Sequence, residues 1–588
     1  MSRRIATRKN NLKKKGSRRT RKKYSGGGGC FGGVCSSNAV STQNQVTVNP
    51  MRLPQNDSLR VGLAGARNRD PAAGANGDLP LILAHGPAAN LILQGIGRNK
   101  LGALMATRKA IKKNVGEAAA AHKWKNEKSV NISKVGKWIK AFPNAETLKT
   151  NGRFDVNTAT LFAIHLQELP RLKKLVLKNT KLTDQLIAII ATALPRCESL
   201  ESLDVMDNKF NTVGMTALAE VLPRCKKLTE LRVGWNRWAH WVPFDDIVIE
   251  PLARALPGCS QLTKLYISEG FLGNRDGAMT LAGGLSMCRQ LKSLTLSGNS
   301  IGDEGVIAVA TALENCPQLT ELHLYRINIG EEGAVALAAL LRTRKYLTVL
   351  DIGANYINDA GAVAIANILP TCKELNRLSL YYTNIGDTGI MALAGALPKV
   401  LKLSWLNISA THFSIPGFAA LTKALQSCME LTSLGVNQPI EVINGEAAPS
   451  FAFLAAIPKL KELHFNDIFI NNASAVDLAK VLPQCANLTF LRLDHNQIGN
   501  SGAVALANVL PQCLKLTSLD LYGNFIGNVG AAAIATVLPQ CPQLTSLEMG
   551  SNRFRDFLSL GTWGWGWRAL QKAATLRPSL NLRFSGLL

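Results

Sequence analysis

Charge is scarce in this chain, and acid is almost missing from its beginning. Only 18% of the 588 residues are Asp, Glu, Lys or Arg. Residues 1–150 hold 29 Lys and Arg against 6 Asp and Glu, and the first acid is Asp57. Residues 151–588 carry a net charge of only +4, so the overall +27 belongs to the first quarter. A strongly basic surface is therefore not expected on the main body. Histidine is also rare, at eight residues with no paired ligand spacing. No Ser-His-Asp order, phosphate-binding loop or zinc-ligand spacing occurs, so no catalytic residue, cofactor or metal is expected. No apolar run approaches the roughly 20 residues of a membrane helix. Leu79–Ile96 is interrupted by His85, Gly86, Pro87, Asn90 and Gln94. No integral membrane segment is expected, and no apolar stretch follows the basic start as a secretory signal would require. With 47% hydrophobic residues the chain has material for a large core, which excludes wholesale disorder.

What is abundant is repetition. From residue 172 the pattern Leu-x-x-Leu-x-Leu-x-x-Asn recurs. Clear copies open at Leu200, Leu228, Leu291, Leu347, Leu488, Leu516 and Leu544, and weaker ones at Leu172, Leu262, Leu319, Leu375, Leu403, Leu431 and Leu460. Successive starts lie 28 or 29 residues apart, except for a step of 34 between Leu228 and Leu262. Leucines at unit positions 4 and 6 share one face of a short strand. The Asn at position 9 suits a tight turn. A stretch such as Ile301–Leu313 follows, with Asp303 a candidate N-cap and Val306, Val309, Ala310 and Leu313 at helical spacing. Each unit reads as strand, turn, helix, turn, and none can bury its apolar faces alone, so neighbours must stack. Strands stack about 4.8 Å apart and helices about 8–10 Å apart, so the array must bend with its strands inside.

These units resemble leucine-rich repeats, and their length and Ile-Gly-Asp-x-Gly segments are similar to the ribonuclease-inhibitor-like subfamily. That subfamily includes ribonuclease inhibitor, the repeat domains of intracellular immune receptors and the Ran GTPase-activating protein. The resemblance implies an α/β fold: a right-handed horseshoe solenoid with a parallel concave sheet and convex helices. It also implies a non-enzymatic, protein-binding concave surface. Position 9 departs from Asn at Thr180, Gly270, Ile327, Thr383, Thr411, Pro439 and Ile468. Thr can still serve the turn, whereas Pro439 and Ile468 mark residues 431–475 as irregular.

The organisation expected is a basic, Gly-rich and mostly disordered tail over 1–98 and a helical linker with an N-terminal cap over 99–143. A solenoid of about fourteen repeats over 144–554 and a C-terminal cap over 555–588 follow. Val135, Trp138, Ile139 and Phe142 predict an amphipathic cap helix ended by Pro143. Ten of the twelve cysteines stand three residues before a unit start, many in Leu-Pro-x-Cys. Their recurrence about every 28 residues reads as a ladder of buried free thiols, which implies a reducing, intracellular compartment, cytoplasm or nucleus.

Candidate functional residues follow from the resemblance, which places positions 3, 5, 7 and 8 on the concave face. These are Trp235, Tyr266, His323, Tyr325, Arg326, Arg377, Tyr381, Tyr382, Trp405, His464, Arg492, His495 and Tyr522. Tyr, Trp and Arg are the types that anchor protein interfaces. The 34-residue step adds a rim loop with Trp238, Trp241 and Phe244. The tail carries Lys13, Lys14, Lys15, Arg18, Arg19, Arg21, Lys22 and Lys23, read as a nuclear-import signal, a contact to nucleic acid or an anionic surface, or a solubilising tail. The reading is a monomeric scaffold for a protein partner. Alternatives are a GTPase regulator acting through Arg232, Arg326 or Arg377, and a structural or virion-associated protein tethered to nucleic acid.

Overall fold

The computed structural model describes residues 129–234, 248–268, 272, 274–436, 450–466, 469–554 and 564–584. These all fall in the unit Ala75–Leu588. The basic tail, most of the 99–143 linker, Trp235 and the rim loop residues Trp238, Trp241 and Phe244 lie outside the described residues.

Each of the fourteen unit starts opens a strand, from Lys174–Val176 through Ser546–Glu548. Three further strands extend the set: Val130–Asn131 and Thr147–Asn151 before it, and Asn581–Arg583 after it. Among the described residues all seventeen form one open parallel sheet, each paired to the next in chain order. The register runs leucine to leucine, as in Leu322, Leu350, Leu378 and Leu406, all at most 1% exposed. Fully burying such a side chain stabilises by about 1.5–3 kcal/mol, so a slip of one residue would expose the whole row. Thr147–Asn151 escapes the leucine pattern because Thr150 stands where a leucine usually does. It is 3% exposed, and its hydroxyl donates to the Val176 carbonyl at 3.3 Å.

The helices cover the other face. In Gly302–Leu313, Val306, Val309, Ala310 and Leu313 are all buried. The cap helix Val135–Ala141 buries Val135 and Ile139 as its spacing predicts. Leu-Pro-x-Cys forms a single 3-10 turn, as at Leu369–Thr371, where Pro370 takes a position that needs no amide. Cys372 then turns the chain toward the next strand with φ −82° and ψ 69°. All ten repeat cysteines are free, and nine are buried. Their thiols point at the carbonyl four residues back in most units, as from Cys259 to Ala255 at 3.5 Å. Burial pushes the Cys197 thiol up to about 11 and, with its cysteine neighbours, the Cys288 thiol up to about 12.

Hydrogen-bond ladders join each unit to the next. The position-9 asparagine is the first. Asn355 donates to the carbonyls of Ile352 in its own unit (2.8 Å) and Leu324 in the preceding one (2.9 Å), and accepts the amides of Ile327 and Ile329, both at 3.0 Å. Asn208, Asn496 and Asn524 repeat this linkage. Where Thr replaces Asn, the bond within the unit survives, as from Thr383 to Leu380 at 2.7 Å. A second ladder corrects the expectation for Asp303. It does not cap its own helix, whose N-cap Ile301 has no side-chain hydrogen bond. Its carboxylate instead accepts the amides of Gly330 (2.5 Å) and Gly333 (3.0 Å), at the start of the next helix. Asp184, Asp359, Asp387, Asn472 and Asn500 do the same for their neighbours. These helix starts are thus satisfied from the adjacent repeat, by Asp at the end where the dipole favours a carboxylate, whereas Asp155, Asn274 and Asn471 cap their own helices.

Of the stretch 431–475 expected to be irregular, residues 437–449, with Pro439, and Ile468 lie outside the described residues. A six-residue 3-10 helix, Phe451–Ala456, stands where the following unit has the end of its α-helix and a three-residue 3-10 turn. The volume is filled by aromatics: Phe451 lies 5.3 Å from Phe465, and Phe453 lies 5.9 Å from Phe418, all four buried.

Candidate functional site

Because positions 4 and 6 point into the core, positions 3 and 5 of each strand must face the opposite side of the sheet. Positions 7 and 8 follow in the turn beyond the strand end. Position 8 has a further constraint that the repeat pattern does not announce. It adopts a positive φ at Asn179, Asp207, Gly298, Arg326, Ala354, Tyr382, Ala410, His495, Gly523 and Ser551, between 50° and 77°. In that left-handed region an L side chain costs about 1–2 kcal/mol. Arg326, Tyr382 and His495 are therefore displayed at a conformational cost, and Tyr382 is 67% exposed.

The structure assembles several of the candidate residues at the middle of the array. Tyr325 and Tyr381 stand two repeats apart, yet their rings stack at 5.8 Å with an interplanar angle of 9°. Their hydroxyls are 3.1 Å apart, so one donates to the other. Gly353, at position 7 of the intervening repeat, makes this possible. A Cβ there would come within 2.9 Å of the Tyr381 carbonyl and 3.0 Å of its ring. Tyr382 adds an edge-on contact to Tyr381 at 6.2 Å. Burial, then the hydrogen bond with Tyr325, raises the Tyr381 hydroxyl above its ordinary value, so the phenol stays protonated.

Along position 5 beside this stack, His323 approaches the Asp351 carboxylate at 4.0 Å. Burial alone would raise Asp351, but the neighbouring His323 and Ser379 and the Gly353 amide outweigh it and hold the carboxyl below its usual value. At position 3 the Arg377 guanidinium lies 3.9 Å over the Trp405 ring on the adjacent strand. Arg326 extends from the turn after Tyr325 and is exposed.

The remaining candidates form two separate groups. Arg232 stacks 4.0 Å over Tyr266 and pairs with Glu230 at 2.5 Å. Farther along, His464 lies 5.4 Å from Phe490 and 3.5 Å from Glu462, with burial lowering its proton affinity. Arg492 pairs with Asp494 at 2.6 Å, and His495 packs edge-on to Tyr522 at 5.0 Å. Sequence reasoning missed Gly353. The available signal was a glycine at position 7 with a tyrosine at the same position one repeat before the stack's gap and one after it. No cluster of metal-ligating side chains occurs among the described residues, and none of their helices is long and apolar enough to cross a membrane.

A leucine-rich-repeat family model matches residues 196–219, 288–310, 345–366, 371–394, 484–507 and 512–535. No curated protein matches the chain. Among solved structures the chain is similar to an internalin from Listeria monocytogenes, with 19% identity, a TM-score of 0.38, and coverage of 66% of this chain and 87% of that one. It is also similar to the plant peptide hormone receptor RGFR1 in complex with RGF2, with 14% identity, a TM-score of 0.31, and coverage of 78% and 73%.

Proposed function

Starting from a chain built of leucine-rich repeats, we propose that it is a non-enzymatic scaffold that captures a protein partner on its strand face. The observation that carries this reading is the aromatic cluster around Gly353. Tyr325, Tyr381 and Tyr382 converge from two repeats across a position emptied of side chain, with Trp405 and Arg377 beside them. Large rigid aromatics and Arg are the side chains that carry most interface energy. The full helices in most units and the 28-residue period favour the ribonuclease-inhibitor-like subfamily. The basic tail serves in this reading as an anionic contact that sets location, a contact that must weaken steeply with salt.

GTPase regulation is the second reading. Of the three arginines that could enter a partner's site, Arg232 is held by Glu230, whereas Arg326 and Arg377 meet no carboxylate among the described residues. The test of the main reading compares affinity capture by the wild type and by a Tyr381→Ala, Tyr382→Ala, Trp405→Ala variant. A partner recovered by the wild type and lost from the folded variant supports the strand face. Identical recovery removes it.

A further inference from the structure

Among the described residues, the four arginines facing this side of the sheet between Leu228 and Leu516 divide into two kinds. Arg232 and Arg492 are neutralised by Glu230 and Asp494 on their own strands or turns. Arg326 and Arg377 make no ion pair among the described residues. Arg377 is exposed and spends one face of its guanidinium on Trp405, which leaves the edge donors free. Arg326 is exposed, held in a left-handed turn with φ 53°, and its amide is fixed to the Gly353 carbonyl at 3.0 Å. The two arginines flank the tyrosine stack, one beyond the strand ends and one at the strand starts. The stack is itself a donor: with one hydroxyl bonded to the other, the second proton is free to point outward. Asp351, the carboxylate of the intervening repeat, already accepts from the Gly353 amide at 3.3 Å and faces His323, and Glu321 stands two strands from Arg377 in the same row without an ion pair to it. The patch therefore offers N–H and O–H donors and two positive charges around an aromatic floor.

We infer that this patch binds an acidic segment of a protein partner, with Asp or Glu side chains seated on Arg326 and Arg377 and a neighbouring apolar side chain laid on Tyr381 and Tyr382. The inference rests on the scaffold reading above and names the chemistry of its partner. Charge complementarity selects a carboxylate-bearing peptide, because a basic or neutral one would leave both arginines unanswered on binding.

The probe is a displayed library of random peptides, selected on the full chain at about 0.3 M salt, where contacts through the basic tail are screened. Enriched peptides are synthesised and titrated against the wild type, an Arg326→Gln, Arg377→Gln variant and the triple alanine variant, each checked for an unchanged thermal transition. The expected peptides share Asp or Glu beside an apolar residue, and the double Gln variant binds them about tenfold or more weakly, as befits charge-assisted hydrogen bonds. Enriched peptides without acids, equal affinity for the double Gln variant, or no enrichment at all overturns the inference. Peptides that lack acids yet lose the triple alanine variant leave the strand face standing and remove only its acidic chemistry. Peptides that bind the triple alanine variant as they bind the wild type remove the strand face itself.

Discussion

Replacing Asn355 by Ala tests whether side-chain ladders, and not leucine packing alone, hold the central repeats together. The side chain is 2% exposed and serves five backbone groups. Alanine would leave the amides of Ile327 and Ile329 without their acceptor, along with the carbonyls of Leu324 and Ile352 without this donor. A buried group left unsatisfied costs about 1–3 kcal/mol. Two amides alone give about 2–6 kcal/mol, and a water entering the vacated space would relieve part of that. We expect a loss of about 3 kcal/mol. Asn355→Thr should lose about half as much, because Thr383 shows that a threonine here still reaches the carbonyl three residues back, at 2.7 Å. Hydrogen exchange at Ile327 and Ile329 is the decisive assay, since a repeat array need not unfold in one step. Their protection should fall by about two orders of magnitude in the alanine variant, while amides beyond Leu431 change little. The exposed Asn384→Ala, one position after the threonine, is the control. An effect of Asn355→Ala under about 1 kcal/mol, or one no larger than the control, would refute the ladder argument.

Tyr382→Gly should leave the melting temperature unchanged or slightly raised, because relief of about 1–2 kcal/mol of left-handed strain is partly offset by about 0.5–1 kcal/mol of glycine entropy. Partner affinity should drop at least tenfold by titration; a clear loss of stability with intact binding would mean the residue is structural. Gly353→Ala should part the Tyr325–Tyr381 stack, seen as a changed near-ultraviolet tyrosine signal and weaker binding, and an unchanged signal would show the gap is not needed. The Cys288 thiol is near 12 when folded against about 9 when unfolded. Its neutral form is favoured by folding, so this contribution is complete below pH 9 and is lost as pH rises toward 12. The slope is about 1.4 kcal/mol per pH unit for one thiol. Cys288→Ala should flatten the alkaline decline in stability by that amount, and an unaltered slope in urea titrations counts against burial as the cause.

Much of the fold was legible because its determinants are local and periodic. Leucines at positions 1, 4 and 6 are read directly from the sequence and are buried in nearly every unit. The terminal strands were not legible, because they depart from the leucine pattern: Thr147–Asn151, paired on both sides, keeps only Leu148 and satisfies Thr150 by a hydrogen bond. The role of Asp303 was misassigned for a related reason. A capping rule looks along one chain segment, whereas the amides of Gly330 and Gly333 come within reach only after neighbouring repeats stack. Arg344 shows the same dependence on stacking. It stands at a cysteine position, 6% exposed, and donates to the Cys316 carbonyl at 2.8 Å, a partner one repeat away.

The candidate site obeys a different logic from the scaffold around it. The leucine register and the ladders constrain positions 4, 6 and 9 and the helix starts, but they leave positions 3, 5 and 7 chemically free and restrict position 8 only through its backbone. Glycine relieves that restriction at Gly298 and Gly523. Strain alone does not mark function, because Ala354, Ala410 and Ser551 bear it with nothing large to display. What distinguishes the centre is coincidence. Arg326 and Tyr382 bear the strain, Gly353 gives up a side chain between them, and Tyr325 and Tyr381 close over the gap. The Tyr325–Tyr381 stack contributes about 0.5–1.5 kcal/mol to folding, whereas the strained Arg326 and Tyr382 cost it. Their joint occurrence within three successive repeats is most simply explained by something that lands there.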